Sequence, residues 1–321
     1  MILLRFRAGP PRAIWFLLVS LPVLSAGGRA QQPPPDPLVK ENATLKLAAH
    51  THAIPDGNVP LVPNVGIVVG SRATLVIDPG LGRRNGDTVL REAVKLSSTN
   101  ELFVAATHFH AEHTTGAIAF PATAKYISTT IQETEFAQGG AQQIQTFSNR
   151  SPATAELLKG AVAPRVDIRF DRTSSLDLGG VHVRFQVVGP THTQGDTVFF
   201  VEEDRVLFAG DVVMNNSFLA ATAASSMRAW LAAFDTLQAY SPSIIVPSHG
   251  AIGDGSLIAA NRSMMESVQT RVRALKAQGR SVDEVATTVQ QEMQAQHPTW
   301  ARVNGVAAAA RSAFAEADAG R

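Results

Sequence analysis

The chain has 321 residues, of which 45% are hydrophobic and 17% are charged, a composition that suits a packed core and excludes a disordered chain. Its formal net charge is +1, but the first 30 residues hold four arginines and no acid, and the remainder has 24 basic and 27 acidic residues. A mildly acidic body excludes the basic surface of a nucleic-acid-binding protein, and the absence of cysteine excludes disulfides, thiolate metal ligands and a cysteine nucleophile.

The first 30 residues have the pattern of a secretory signal peptide. Three arginines form a basic leader, an apolar run follows at 13–24, and small residues around 28–30 form a candidate cleavage site. This run is shorter than the about 20 residues that a membrane-spanning helix needs, which favours cleavage over a retained anchor. We therefore expect a periplasmic or secreted protein with no stable membrane association, whose mature chain begins with a flexible Pro/Gln-rich linker at 31–42.

Strand and helix patterns alternate along the rest of the chain. Short β-branched runs predict strands, beginning with a hairpin, and apolar residues three or four apart predict helices. Two strand-rich blocks, each followed by helices, indicate two packed sheets with helices outside, although periodicity alone also allows one doubly wound sheet. The predicted strands are 65–69, 74–77, 102–106, 126–127, 181–188, 198–201, 206–208 and 244–246; the predicted helices cover 87–96, begin at 152 and 226, and fill most of the chain after 260.

Three histidines and a glutamate lie within six residues, directly after the strand predicted at 102–106. Side chains two apart on an extended segment point the same way, so His108 and His110 are expected to share one ion. A turn after His110 would aim Glu112 and His113 at a second position nearby. Neutral imidazole and carboxylate are ligands that zinc accepts. The cluster therefore predicts a zinc site.

Three more polar residues lie at the ends of predicted strands. His192 lies in a Gly/Pro-rich turn between two strands, Asp211 ends a strand, and His249 follows the last short strand. Each is a weak indication alone, but together they repeat one arrangement, a possible ligand at the tip of a buried strand. The other four histidines are predicted to have no ligand role: His50, His52, His182 and His297.

These residues fall into a series of motifs in a fixed order. The motifs are His-x-His-x-acid-His at 108–113, Gly-Pro-x-His-Thr at 189–193, Gly-Asp at 210–211 and Ser-His-Gly at 248–250. The series resembles the metal-ligand series of the metallo-β-lactamase superfamily, as does Asp78 in Val-Ile-Asp-Pro-Gly, and the resemblance extends from about Val65 to Gly250. It implies an α/β fold, the αββα four-layer sandwich, over 43–275, followed by a helical C-terminal extension at 276–321.

The resemblance also implies a role for each motif residue. One or two zinc ions are expected, with two favoured, and Asp78 would orient the loop that carries the clustered histidines. The first zinc would be held by His108, His110 and His192, the second by Glu112, His113 and His249, and Asp211 would bridge the two.

Two positions depart from common patterns of the family. The family usually has aspartate where this chain has Glu112, which is one methylene longer, so the position and strength of the second metal site are in question. Position 211 is aspartate, as in glyoxalase II-like hydrolases and lactonases, whereas many zinc β-lactamases have cysteine there. The turn at 189–198, in contrast, resembles that of zinc β-lactamases. The local resemblances thus indicate different substrates.

The function that these motifs favour is exported, zinc-dependent hydrolysis of a small carbonyl substrate by metal-bound hydroxide, with a β-lactam ring as the favoured substrate. Hydrolysis of a lactone, ester or thioester of the glyoxalase II-like type is the alternative. A non-catalytic periplasmic zinc-binding protein is the alternative from another class. A redox-active di-iron protein is disfavoured, because such members of the family have glutamate where this chain has His110.

The predicted catalytic residues are the three carboxylates Asp211, Glu112 and Asp78. Asp211 would orient the nucleophile, and Glu112 would move a proton if it does not bind metal. Asn215 and Asn216 are candidate hydrogen-bond donors to an oxyanion, although asparagines in a loop are more often turn residues. The only partner expected is a small-molecule substrate; the sequence does not indicate the oligomeric state.

Overall fold

A computed structural model describes residues 35–97 and 101–317. The predicted signal peptide at 1–30 and the first four residues of the predicted linker lie outside the described residues. None of the helices among the described residues is long and apolar enough to span a membrane.

Twelve strands in the described residues form two sheets. The first sheet has the order β1-β2-β3-β4-β5-β6-β7, and the second has the order β12-β11-β10-β9-β8. The bounds are β1 Leu45–Lys46, β2 Thr51–Ile54, β3 Val65–Val69, β4 Ala73–Ile77, β5 Glu101–Ala105, β6 Lys125–Thr129, β7 Ile168–Phe170, β8 Thr173–Asp177, β9 His182–Val187, β10 Thr197–Val201, β11 Val206–Gly210 and β12 Ile244–Pro247.

The helices in the described residues flank these sheets. A 3₁₀ helix at Thr115–Ala119 follows α2, and a π-helical turn at Phe136–Gly140 separates α3 from α4. The bounds are α1 Gly82–Leu96, α2 Ala111–Thr114, α3 Thr130–Glu135, α4 Ala141–Ser148, α5 Pro152–Leu157, α6 Met227–Ala239, α7 Ser256–Ala277, α8 Val282–Gln296 and α9 Val303–Glu316.

Alternating side chains of the second sheet build two different cores. Phe199 and Phe208 point towards the first sheet and pack with Leu75, whereas Phe200 and Leu207 point the other way into the core formed with α6 to α9. Successive strand residues face opposite sides of a sheet, so β10 and β11, in which every residue is buried, are covered on both faces.

The first sheet is covered in the same way. Its inner face supplies Leu75 and Ile77 to the core between the sheets, and its outer face places Val76 against Val89 and Ala93 of α1. The layers are therefore helix, sheet, sheet and helix. This arrangement confirms the predicted αββα sandwich and excludes the single doubly wound sheet that periodicity alone allowed.

The C-terminal helices belong to the core of the second sheet. Leu275 of α7, Val285 of α8 and Ala310 of α9 are buried in the same apolar cluster as Trp230 of α6. The domain limit predicted at residue 275 therefore falls inside α7, two residues before that helix ends. Ser281 and Glu284 form a capping box at the start of α8.

The predicted helix at 87–96 begins five residues earlier than its periodicity indicated. In the structure α1 starts at Gly82, and its N-cap residue, Leu81, makes no side-chain cap. Two basic residues, Arg83 and Arg84, occupy the first turn, where acidic residues are favoured. The usual start signals are thus absent. Gly82 has a φ of 70°, and the carbonyl oxygen of Leu157 leaves no room for a Cβ there, so glycine is required at this first position.

Strand direction brings the predicted ligands to one edge of the sandwich. β4 and β5 are parallel, and their last residues, Ile77 and Ala105, lie side by side. β11 and β12 are also parallel and end together at Gly210 and Pro247. The segments that follow these four strands, together with the turn between β9 and β10, carry all of the predicted site residues.

Candidate metal centre

Three imidazole nitrogens converge at the end of β5. Nδ1 of His110 lies 3.1 Å from Nε2 of His108 and 3.2 Å from Nε2 of His192. A tetrahedral zinc ion with Zn–N distances of about 2.0–2.1 Å places its nitrogen ligands about 3.3–3.4 Å apart. Residues from two sheets are thus arranged so that they could hold one ion.

A second group of donors lies beside the first. One ligand atom each from Glu112, His113 and His249 lies within 4.8 Å of the others, and all three residues are buried. Oε2 of Glu112 and Nε2 of His113 have no hydrogen-bond partner among the described residues. Buried polar atoms rarely remain unpaired, because their desolvation is then uncompensated. A second cation fits this group.

Asp211 lies between the two groups. Its Oδ2 is 3.6 Å from Nε2 of His192, and its Oδ1 is 4.0 Å from Nε2 of His249. Burial opposes ionisation, but the neighbouring His249 and His192 outweigh it and hold the pKa of Asp211 below its usual range. An ionised carboxylate in this position could bridge two cations. Its Oδ1 also has no hydrogen-bond partner among the described residues.

The outer nitrogens of the histidines face acceptors that fix their rings. Nδ1 of His192 lies 2.5 Å from the carbonyl oxygen of Ala220, and Nδ1 of His249 lies 2.9 Å from that of Val62. A ring nitrogen that donates to a carbonyl leaves the opposite nitrogen with a free lone pair for a cation. Both rings are thus oriented so that Nε2 faces the centre.

Asp78 lies beneath the centre and connects the two sheets. Asp78 has a left-handed backbone conformation, with φ of 58°, and its side chain is buried. Oδ1 accepts a hydrogen bond from the backbone N–H of Thr107 at 2.7 Å, and Oδ2 accepts one from Oγ of Ser248 at 3.0 Å. Oδ2 also lies 3.1 Å from Nδ1 of His113. Asp78 therefore holds the loop with the clustered histidines against the segment before His249.

The pKa values of the histidines depend strongly on their surroundings. Burial lowers the pKa of His108 and His110, and it lowers that of His249 to about 4. These residues are therefore neutral at pH 7, the form in which imidazole binds metal. Burial also disfavours charge on His113, but the adjacent carboxylates, chiefly Asp78, raise its pKa to about 9. A cation that binds Nε2 of His113 would have to displace the proton that this nitrogen carries in the charged ring.

Sequence reasoning missed three polar residues that hold the ligand loops. Nε2 of Gln132 donates to the carbonyl oxygens of Thr107 and Gly195, at 3.1 and 3.0 Å, and so joins the loops on either side of the centre. Nδ2 of Asn64 donates to the carbonyl oxygens of Pro247 and Gly250, at 2.8 Å each, on both sides of His249. An amide far from a motif gives no sequence signal.

The third missed residue, Asp196, did have a signal. Its carboxylate accepts hydrogen bonds from the backbone N–H and Oγ1 of Thr193, at 2.8 and 2.7 Å, and from Thr191. It therefore closes the turn that carries His192. An aspartate three residues after a threonine in a Gly/Pro-rich turn is typical of such side-chain-to-backbone bonding, and it lies inside the turn at 189–198.

The remaining predicted residues lie at the rim or elsewhere. Asn215 and Asn216 line the cleft, but Nδ2 of Asn215 donates to the carbonyl oxygen of Ala251 at 3.0 Å. The four histidines without a predicted ligand role lie outside both donor groups. His182 pairs with Glu203 on the surface, and His297 stacks on a tryptophan.

Members of both donor groups, with Asp211, line the floor of an open cleft of about 640 Å³. Its walls come from the segments at 56–61, 143–150 and 215–220, and from two residues just before α9. The centre is therefore reachable by a small molecule. The donors on its floor are His110, Glu112, His192, Asp211 and His249.

A family model for the metallo-beta-lactamase superfamily matches residues 58–249, a span that includes every donor in the centre. The chain belongs to this superfamily. Its members are generally hydrolases that bind metal. The donor set of this chain, imidazoles and carboxylates with unpaired buried atoms, fits zinc. No curated protein sequence matches the chain.

Several solved structures share the fold of this chain at low sequence identity. A metallo-beta-lactamase from Pontibacter korlensis is 20% identical, with a TM-score of 0.56, over 68% of this chain and 96% of that protein. A beta-lactamase domain protein from Burkholderia ambifaria is 17% identical, with a TM-score of 0.64, over 88% and 90%. A stereoselective inverting sec-alkylsulfatase from Pseudomonas sp. is 13% identical, with a TM-score of 0.63, over 85% of this chain but only 49% of the alkylsulfatase.

Proposed function

We propose that the protein is a zinc-dependent hydrolase that binds two zinc ions and cleaves a small carbonyl substrate, a β-lactam being favoured. The observation that carries this proposal is the convergence of two three-residue donor groups, with Asp211 between them, on the floor of an open cleft. His108, His110 and His192 would hold one ion, and Glu112, His113 and His249 the other.

The chemistry divides between the ions and the protein. Bound zinc supplies Lewis acidity, which activates water at neutral pH and polarises a carbonyl oxygen. The ionised carboxylate of Asp211 can accept a hydrogen bond from the attacking water and orient it towards the substrate. Burial raises the pKa of Glu112, so its Oε2 can take up and return a proton wherever it is not engaged by the second ion.

The choice of substrate rests on local resemblance and on the neighbours in fold. Two of the similar structures are a metallo-beta-lactamase and a beta-lactamase domain protein. The sequence of the turn at 189–198 also resembles that of zinc β-lactamases. Asp211 instead favours a lactone, ester or thioester. The alkylsulfatase neighbour adds a sulfate ester as a further substrate to test.

Export and partners are part of the same proposal. The basic and apolar pattern at 1–30 supports a cleaved signal peptide and a periplasmic or secreted location, where a small-molecule substrate is the expected partner. Cell fractionation with N-terminal sequencing of the mature chain tests this. A mature chain that begins at Met1 in the cytoplasm would contradict export while leaving the zinc chemistry intact.

Replacing single donors tests the zinc hydrolase. His110→Ala and His192→Ala should each lower the amount of bound zinc. Loss of an outer partner of a metal ligand reduces activity by about 10–100-fold, and loss of a ligand itself should reduce turnover by more. His182→Ala, at an exposed histidine outside the centre, is the matched control. Zinc content is measured by elemental analysis, and turnover with a chromogenic β-lactam, a lactone, a thioester and an alkyl sulfate.

The result also separates the rival classes. Zinc content that depends on the donors, without turnover on any substrate, would support a zinc-binding protein and overturn the hydrolase. Iron in protein purified without added metal would support the redox alternative. Unchanged zinc and unchanged turnover in both variants would overturn the metal centre itself.

A further inference from the structure

One arginine from the C-terminal helices reaches the cleft above the candidate metal centre. Arg302 immediately precedes α9 and lines the cleft together with His192, Asp211 and His249. Its charge interacts electrostatically with Asp211 and His249. The C-terminal helices, whose role the sequence did not indicate, thus contribute a cationic group to the site.

The segment before α9 is fixed to the loop that follows Asp211. Ala301 pairs with Ser217 in an isolated parallel bridge, and its carbonyl oxygen accepts hydrogen bonds from the N–H of Phe218 at 3.2 Å and Oγ of Ser217 at 3.3 Å. The backbone that carries Arg302 is therefore fixed at the cleft, so its side chain starts from a defined position beside the centre.

The guanidinium group of Arg302 has no acidic partner among the described residues. Its Nη1 contacts Oγ of Ser217 at 3.4 Å and Sδ of Met214 at 3.9 Å. By contrast, Arg311 of the same helix forms an ion pair with Asp283. A half-buried arginine whose donors meet only weak acceptors can still bind an anion through its planar fork.

The backbone of Arg302 supports a role for its side chain. Its φ is 62°, in the left-handed region that favours glycine and asparagine. An arginine at such a position is unfavourable unless surrounding contacts or function retain it. The chain therefore places a long cationic side chain at the cleft where a smaller residue would suit the backbone better.

The acids that line the cleft leave this charge available. Oδ2 of Asp56 accepts a hydrogen bond from the N–H of Gly250 at 2.7 Å, and Oδ1 accepts one from the N–H of Asn58 at 3.0 Å. Glu112 and Asp211 belong to the donor groups. None of these three carboxylates forms an ion pair with Arg302 among the described residues.

We propose that Arg302 binds an anionic group of the substrate, a carboxylate or a sulfate, while the scissile bond lies at the metal centre. The substrate is thus an anionic small molecule. This inference rests on the proposed function, because it assumes that substrate enters the same cleft. Arg302 determines specificity through binding, whereas the metal donors determine turnover.

Ligand binding tests the inference without requiring turnover. Isothermal titration of zinc-loaded protein with phenylacetate and with phenyl sulfate measures affinity for the two anions, and benzyl alcohol is the neutral probe. Arg302→Gln should raise Kd for at least one anion by about tenfold or more, because a charge-assisted hydrogen bond is lost. It should change Kd for benzyl alcohol less than twofold. Kd of Arg302→Lys for that anion should lie between the values for the unchanged protein and Arg302→Gln, because lysine keeps the charge without the planar fork.

Two further arginines serve as comparisons. Arg311→Gln, at an exposed ion pair of α9, should leave all three Kd values unchanged. Arg150 also lines the cleft, exposed and stacked on Phe147 at 4.3 Å from the ring centroid. Loss of anion affinity in Arg150→Gln but not in Arg302→Gln would overturn the assignment. Equal losses for the anions and benzyl alcohol would also overturn it. Bound zinc and the melting temperature of each variant report whether the fold is retained.

The experiment separates this inference from the proposed hydrolase. Where a substrate is turned over, Arg302→Gln should raise KM for an anionic ester by about tenfold with kcat nearly unchanged, and should not affect its neutral counterpart. If no substrate is turned over but anion affinity depends on Arg302, the hydrolase fails and the anion site stands. If turnover is normal and neither anion depends on Arg302, the anion site fails alone.

Discussion

Replacing Gln132 by leucine tests whether a residue outside the centre sets metal affinity. The buried amide is the only described side chain that donates to carbonyl oxygens on both sides, those of Thr107 and Gly195. Both oxygens keep another donor in the variant. The carbonyl oxygen of Thr107 also accepts from the N–H of Thr197, and that of Gly195 accepts from Oγ1 of Thr197. Leucine branches one carbon earlier but fills a similar volume, so the change removes the hydrogen bonds and creates little cavity.

The expected cost follows from those contacts. Loss of two shared hydrogen bonds, and of the acceptor for Oγ of Ser128, should lower the free energy of unfolding by about 2–3 kcal/mol. Urea unfolding of metal-free protein measures this loss of stability without the contribution of bound zinc. Looser ligand loops should also weaken zinc binding by about tenfold, within the range seen when outer partners of metal ligands are lost. Competition with a chromogenic chelator measures that affinity.

The matched control is Gln142→Leu, at an exposed glutamine of α4. It should change stability by no more than about 0.5 kcal/mol and should not change zinc affinity. If Gln132→Leu binds zinc as tightly as the control, the two loops are positioned without the amide. The reasoning from shared hydrogen bonds would then be refuted, even if stability fell.

Three other predictions concern the second metal site, the position of α9 and the stability that bound zinc contributes. Asp211→Asn should leave zinc in the group of three histidines but weaken the second site, giving about one zinc per chain by elemental analysis; two tightly bound ions would contradict the bridge. Gly305→Ala would place a Cβ 2.3 Å from the carbonyl oxygen of Leu219, so α9 must shift, at a cost of about 1–3 kcal/mol in urea unfolding and with weaker anion binding at Arg302; unchanged anion affinity would contradict it. Zinc at 100 times the Kd of one site should stabilise the fold by about 2.7 kcal/mol through that site, relative to chelator-treated protein, and an equal melting temperature in both would refute binding to the native state.

The sequence predicted most strongly those elements whose residues are buried on a repeating face. β10 and β11 are buried along their whole length and, apart from Thr197, consist of apolar residues and one glycine; both were expected within two residues of their ends. β8, with Thr173 and Asp177 at its ends, escaped because it is an edge strand whose side chains are exposed or half-buried. Its pairing with β9 is made by the backbone, which leaves no apolar period to detect.

The donors could be anticipated for a related reason. His108, Asp211 and His249 each follow an apolar strand, and parallel strands that end at one edge bring such residues together whatever their separation in sequence. Residues that act on these donors from elsewhere follow no such rule. Gln132 reaches the centre from the start of a helix and Asn64 from a loop, and neither position is distinguished by its neighbours in sequence.

Arg302 shows where this limit has consequences for function. Its motif, Ala-Arg-Val, is indistinguishable from any exposed start of a helix, and its proximity to Asp211 arises only because α9 packs on the second sheet and Ala301 bridges to Ser217. Metal donors must meet a fixed coordination geometry and so occupy strand ends, whereas a group that binds the far end of a substrate needs only to reach the cleft. We therefore expect chains that share these donors to differ most in the residues that the outer segments bring to the cleft, and substrate preference to follow those residues more closely than the donor set.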